Sequence, residues 1–118
     1  MAGYQELQVW KAAMRFALGI YHETRAFPSD ERYGLTSQLR RAAVSIPSNI
    51  AEGHGRDSSG DLARFCGIAL GSLAEVETQL LLARELTYIE RDTCTDLLKQ
   101  AEEIGRMLKG LIRSVKRS

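Results

Sequence analysis

Apolar residues recur along this chain at the three- and four-residue steps of helices, and no alternating stretch suggests a strand. Leu7, Trp10, Met14, Ala17, Leu18 and Tyr21, with Gln, Lys, Glu and Arg between them, predict a first helix over Tyr4 to Arg25. Phe27, Pro28 and Ser29 break it. Ser29 followed by Asp30 and Glu31 is a helix start, with a hydroxyl cap and acids in the first turn, made short or irregular by Gly34. A second long helix is expected over Leu35 to Gly53 on Leu35, Leu39, Ala42, Ala43, Ile46 and Ile50. It should bend at Pro47 and end in Gly53-His54-Gly55, where glycines tolerate positive φ. Ser58 with Asp61 is a capping-box variant, so a third helix starts there and runs to about Leu86 on Leu62, Phe65, Ala69, Leu73, Val76, Leu80 and Ala83. After a turn over Tyr88 to Asp92, a fourth follows on Leu97, Leu98, Ala101, Ile104, Leu108, Leu111, Ile112 and Val115.

Four long amphipathic helices with short connections imply an all-α, antiparallel up-down-up-down four-helix bundle. The 118 residues form one domain, 1–118, long enough to bury a core without staples. Two features depart from the simple pattern. Pro47 sits inside a helix, where it removes a donor and crowds the preceding turn at a cost of roughly 3 kcal/mol. Around that same helix Gln38, Arg41, Ser45, Asn49, Glu52 and Arg56 fall within an arc of roughly 80°, beside the apolar face rather than opposite it. Either this is a solvated face, or it is a hydrogen-bonded contact with another helix or subunit, in which each buried member needs a partner. Gly67, Gly71, Gly105 and Gly110 each cost about 1 kcal/mol against alanine. Gly71 shares a strip beside the core face with Arg64, Glu75 and Gln79, where missing side chains would let another helix approach. For any one glycine the plainer account is tolerance of a weak helix former. Second stripes on two helices nevertheless predict an oligomer.

The 16 cations nearly cancel the 15 anions, so bulk charge points neither to nucleic acid nor away from it. Cys66 and Cys94 stand in no metal-ligand spacing and read as small buried thiols of a reducing cytosol. The start MAGYQELQVWK lacks a cationic segment followed by an apolar run, and no later segment approaches the roughly 20 apolar residues that span a bilayer. A cytoplasmic location is therefore expected. Neither His22 nor His54 has a glutamate three residues before it, so no di-iron site and no other metal or cofactor is expected. His54 reads as an exposed residue of a Gly-rich turn. With no phosphate-binding loop, dinucleotide fingerprint or catalytic triad, the chain is not expected to be an enzyme.

Local charge is more informative. From Arg106 to the end, Arg106, Lys109, Arg113, Lys116 and Arg117 stand without an acid, all within an arc of about 100° clear of the apolar face. Cations near the negative pole of the helix dipole explain part of this. The alternative is a strip that attracts a polyanion and releases its counterions. Arg40, Arg41 and Arg56 add charge on or near the second helix, with Glu52 placed to pair with Arg56. No aromatics interleave with these cations, so any contact should read backbone or shape rather than stacked bases.

The residues also resemble a known family, the small bacterial four-helix-bundle proteins called 23S rRNA-intervening-sequence proteins, which include the accessory variability determinant of diversity-generating retroelements. The similarity runs over nearly the whole chain. It is carried by Leu7, Val9, Trp10 and Ala13, by Phe27-Pro28, Glu31 and Tyr33-Gly34-Leu35, and by Gln38, Arg41, Ala42, Ser45-Ile46-Pro47, Asn49-Ile50-Ala51-Glu52-Gly53 and Arg56. Gly71-Ser72-Leu73 with Glu75 and Glu77, then Met107-Leu108 and Gly110-Leu111-Ile112, complete it. Departures fall at Gly60, Leu62 and Glu90. The resemblance implies a homopentameric ring around a central channel and, for some members, binding to structured RNA or to a reverse transcriptase. The expected function is non-catalytic binding of structured RNA through basic surfaces of a homo-oligomer, with Arg106, Lys109, Arg113, Lys116, Arg117, Arg40, Arg41 and Arg56 as candidate contacts. The alternative is a protein-interaction module, such as a reverse transcriptase accessory subunit, without direct nucleic-acid binding. Gln38, Ser45, Asn49, Glu52, Gly71 and Glu75 are the candidate oligomer or interhelix contacts.

Overall fold

The computed structural model describes residues 3–116, and every regular element among them is helical. A 3-10 turn at Tyr4–Glu6 leads into α1 (Gln8–Thr24), and a second at Ser29–Glu31 precedes α2 (Leu35–Gly55); α3 (Ser59–Glu85) and α4 (Arg91–Lys116) follow. Contacts set the directions. Gln38 meets Gln79, Ser45 meets Ser72 and Gly53 meets Phe65, so α2 and α3 run antiparallel. Cys94 reaches the Leu80 carbonyl and Gly105 abuts Leu73, so α3 and α4 do the same. Among the described residues α1 packs on α2 and α4, and α3 on α2 and α4. That is the square of an up-down-up-down bundle, 46 Å long and 23 by 21 Å across.

Its interior holds Phe16 and Ile20 of α1, Leu39, Ile46 and Ile50 of α2, Val76 and Leu80 of α3, and Ile104 and Leu108 of α4, all fully buried. Cys66 and Cys94 are buried free thiols, and burial pushes both thiols above their ordinary range.

The ends of the elements differ instructively from expectation. The segment after Pro28 is only a single 3-10 turn, and Glu31 acts downstream of it: its carboxylate Oε1 accepts the Leu35 amide at 3.0 Å, capping α2 where the preceding Gly34 has no side chain to offer. The α2 helix continues through the buried Pro47 and on to Gly55, placing His54 in its last turn, partly buried, rather than in an exposed loop. No described glycine has positive φ. Gly53 is instead a close-approach glycine, since a Cβ there would lie 2.8 Å from Phe65 Cβ and 3.3 Å from Leu62 Cα. The left-handed residue is Thr87, with φ 64°. It closes α3 in a Schellman turn, where the Tyr88 amide bonds Ala83 O at 2.9 Å and the Thr87 amide bonds Arg84 O at 3.0 Å.

The α3 helix also exceeds the apolarity expected of it. An 18-residue window has mean hydropathy 1.3, long and apolar enough to cross a bilayer by length and composition, yet only 33% of that window is buried in the bundle. Its outward face carries Gly67, Ile68, Gly71, Ala74 and Leu82 where a surface helix would carry charges.

Candidate nucleic-acid interface

The polar stripe of α2 lies along the seam with α3. Gln79 Nε2 donates to Gln38 Oε1 at 3.4 Å, and the hydroxyls of Ser45 and the buried Ser72 are 2.8 Å apart. Asn49 Nδ2 donates to Ser45 O at 2.7 Å and to Ser45 Oγ at 2.9 Å. Arg41 and Glu75 flank the notch that Gln38, Ser45, Ser72 and Gln79 line, without pairing with each other. Of the two readings of the stripe, the interhelix contact holds for Gln38 and Ser45, and the helix they face belongs to the same chain, while Asn49 bonds only back to Ser45 within α2. Ser72 completes the network. Its place on the core side of α3, among leucines and valines, was the signal. Gly71 faces outward, and a Cβ there would meet nothing within 4 Å.

The cations divide into engaged and free. Arg40 Nε donates to Thr24 Oγ1 at 2.8 Å, Nη2 donates to Tyr21 O at 3.3 Å, and the guanidinium lies 4.7 Å from the Tyr21 ring centroid. It ties α2 to the end of α1, at the opposite end of the bundle from Lys109, Arg113 and Lys116. Arg106 is held by Glu102 at 3.2 Å and by Glu103, which raise its pKa, Glu103 more strongly. The acids sit one turn before the stretch from Arg106 onward, so Arg106 does not stand as an unneutralised member of the stripe. Lys109, Arg113 and Lys116 are exposed and make no ion pair among the described residues. Arg117 lies outside the described residues.

Because α2 ends, α3 begins and α4 ends at the same end of the bundle, Arg56 and Arg64 join these three. Arg64 and Lys116 line one groove between α3 and α4, over a floor of Gly60, Ala63 and Gly67. Arg56 pairs with Glu52 at 3.0 Å, as its spacing suggested. An aromatic does interleave here. The Phe65 ring has the Arg64 guanidinium 4.5 Å and the Arg56 guanidinium 5.1 Å from its centroid, contrary to the expectation of cations without aromatics. The pair was invisible while Phe65 was read only as a core position of α3. Among the described residues no group of three or more His, Cys, Asp and Glu could hold a metal ion. What the arrangement offers is a row of solvated positive charge with a small-residue groove beside it, suited to phosphates spaced along a backbone.

A second surface is apolar. Met14, Leu18 and Tyr21, part of the repeat that predicts α1, line with Trp10, Val44 and Pro47 an open apolar groove between α1 and α2, and Leu18 is 66% exposed.

A family model described as 23S rRNA-intervening sequence protein matches residues 5–110. A similar solved structure is the crystal structure of a protein with unknown function from the S23 ribosomal protein family of Bacteroides thetaiotaomicron. It superposes with a TM-score of 0.79 at 26% identity, over 88% of this chain and 97% of that one. No curated protein matches.

Proposed function

Since this chain belongs to the 23S rRNA-intervening sequence protein family, we propose that it is a non-catalytic, cytoplasmic RNA-binding protein that holds the phosphate backbone of structured RNA on the basic end of its bundle. The observation that carries this reading is the row Lys109, Arg113 and Lys116, exposed and in no ion pair among the described residues, with Arg64 across the adjoining groove. Three such charges on one chain bind phosphate weakly. A homo-oligomer, of five copies if the resemblance holds for assembly, multiplies the row and its counterion release. Filter binding of an RNA hairpin over rising salt tests the reading: binding should be measurable at about 50 mM salt and fall linearly on a log–log plot. Undetectable binding at that salt would overturn it.

The apolar α1/α2 groove favours a second reading, a protein-interaction module such as a reverse transcriptase accessory subunit. Reversing Arg113 and Lys116 to glutamate separates the two, since RNA binding would be lost under the first and partner contacts kept under the second.

A further inference from the structure

We propose that the groove between α1 and α2 receives the outer face of α3 from a second copy of this chain, in a head-to-tail contact. The inference rests on the homo-oligomer of the reading above and adds which surfaces meet.

The groove is concave and almost wholly apolar, with Met14, Leu18, Tyr21 and Val44 left in water by the single chain. The outer face of α3 is its counterpart in shape. Gly67 and Gly71 have nothing within 4 Å of where a Cβ would stand, so packing within the chain does not account for two helix-weakening glycines. Beside them Ile68 is 42% exposed, and about three turns further along the same face Leu82 is 50% exposed. A ridge of this kind, low at the glycines, lets a neighbouring bundle settle close to the backbone, and its leucine and isoleucine supply the apolar area that a groove takes up.

Charge agrees with shape. Lys11 stands along α1 beside the groove, Glu75 stands on the α3 face between Gly71 and Leu82, and neither makes an ion pair among the described residues. Height along the bundle agrees too. Val44 lines the groove with Leu18, while the next residue, Ser45, bonds Ser72, so Leu18 and Gly71 lie at similar levels along the bundle axis. Copies set side by side therefore bring the two surfaces together without sliding. The surfaces differ from each other and face different directions, so the contact is heterologous and each chain uses both.

Sedimentation velocity at micromolar concentration tests this with two exposed-site variants, Leu18→Glu in the groove and Gly71→Leu on the ridge, their helical folding checked by circular dichroism. The wild-type chain should sediment as an assembly and each variant alone as the 13.1 kDa monomer. An equimolar mixture should give a capped heterodimer of twice that mass, because the first variant keeps an intact ridge and the second an intact groove. Ile68→Glu, at an exposed residue of the same ridge, replaces Gly71→Leu should the latter lose helicity. A monomeric wild-type chain would overturn the assembly and this contact together. Variants that keep the wild-type mass, or a mixture that stays monomeric, would overturn the contact alone, leaving assembly and RNA binding to stand on their own tests.

Discussion

The hydroxyl of Tyr88 donates a 2.9 Å hydrogen bond to Oε2 of Glu31, across 57 positions of sequence, while Oε1 of the same carboxylate accepts the Leu35 amide. One side chain thus caps α2 and anchors the turn that follows α3, with Phe27 packed against the Tyr88 ring at 5.5 Å. The Leu35 amide and then the Tyr88 hydroxyl hold the Glu31 carboxyl below its usual range, and the same bond holds the Tyr88 phenol above its own. A depressed carboxyl contributes stability that is present above its unfolded value, about 4.3, and is lost as pH falls through the folded value. Urea midpoints should therefore favour wild type over Glu31→Gln at neutral pH, with the advantage fading at acid pH. A gap that is constant down to the acid limit would remove the carboxylate from this role. On the alkaline side the raised phenol contributes below about 10 and loses that contribution as pH rises further, a limb that Tyr88→Phe should abolish.

Thr87 holds the left-handed position of the α3 Schellman turn, which a β-branched residue adopts at a cost. Its hydroxyl bonds the neighbouring Leu86 carbonyl at 2.6 Å, a local contact on an exposed turn that offsets little of the strain. Thr87→Gly should stabilise the chain by about 1 kcal/mol, raising the melting temperature by roughly 4 °C. A lowered melting temperature would mean that the hydroxyl contact outweighs the backbone term.

Two glycines on facing helices should respond in opposite directions to the same methyl group. At Gly53 the added Cβ meets Phe65 and the α3 backbone, and Gly53→Ala should cost about 1–3 kcal/mol through forced separation of α2 and α3. At Gly71 the methyl meets nothing within the chain, so Gly71→Ala should stabilise by up to about 1 kcal/mol through helix propensity. Denaturant titrations in a Leu18→Glu background, where a second copy is not expected to dock, read both values on the isolated chain.

The helices were legible because each repeats apolar residues long enough for one period to dominate, and all four appear within a few residues of their expected spans. What escaped depended on distances between elements. Spacing places Gln38 and Ser45 on one face but carries no information on which helix they meet, and Ser72 is the missing half of the network. Gly53 was read through the commonest use of glycine at a helix end, positive φ, when the separation from Phe65 was the cause. A stripe counted from Arg106 onward excluded the acids one turn earlier. Phe65, an α3 core position by period, sits at the edge of the bundle where two arginines reach it. Periodicity assigns a face, and only the neighbour decides whether that face is core, seam or groove.

That division of the cations makes the RNA reading quantitative. Each phosphate neutralised by a free cation contributes about 0.9 to the slope of log affinity against log salt for a duplex, because its condensed counterion is released. Lys109, Arg113 and Lys116 make no ion pair among the described residues, so replacing any one by glutamine should lower the slope for an RNA hairpin by about 0.9 per chain engaged. Arg106 differs. Its guanidinium is already neutralised by Glu102 and Glu103, and to bind phosphate it would have to give up both. Arg106→Gln should therefore leave the slope almost unchanged. If Arg106→Gln depresses the slope as much as Arg113→Gln does, the acids do not hold Arg106 in solution, and the basic surface extends one turn further up α4 than the ion pairs indicate.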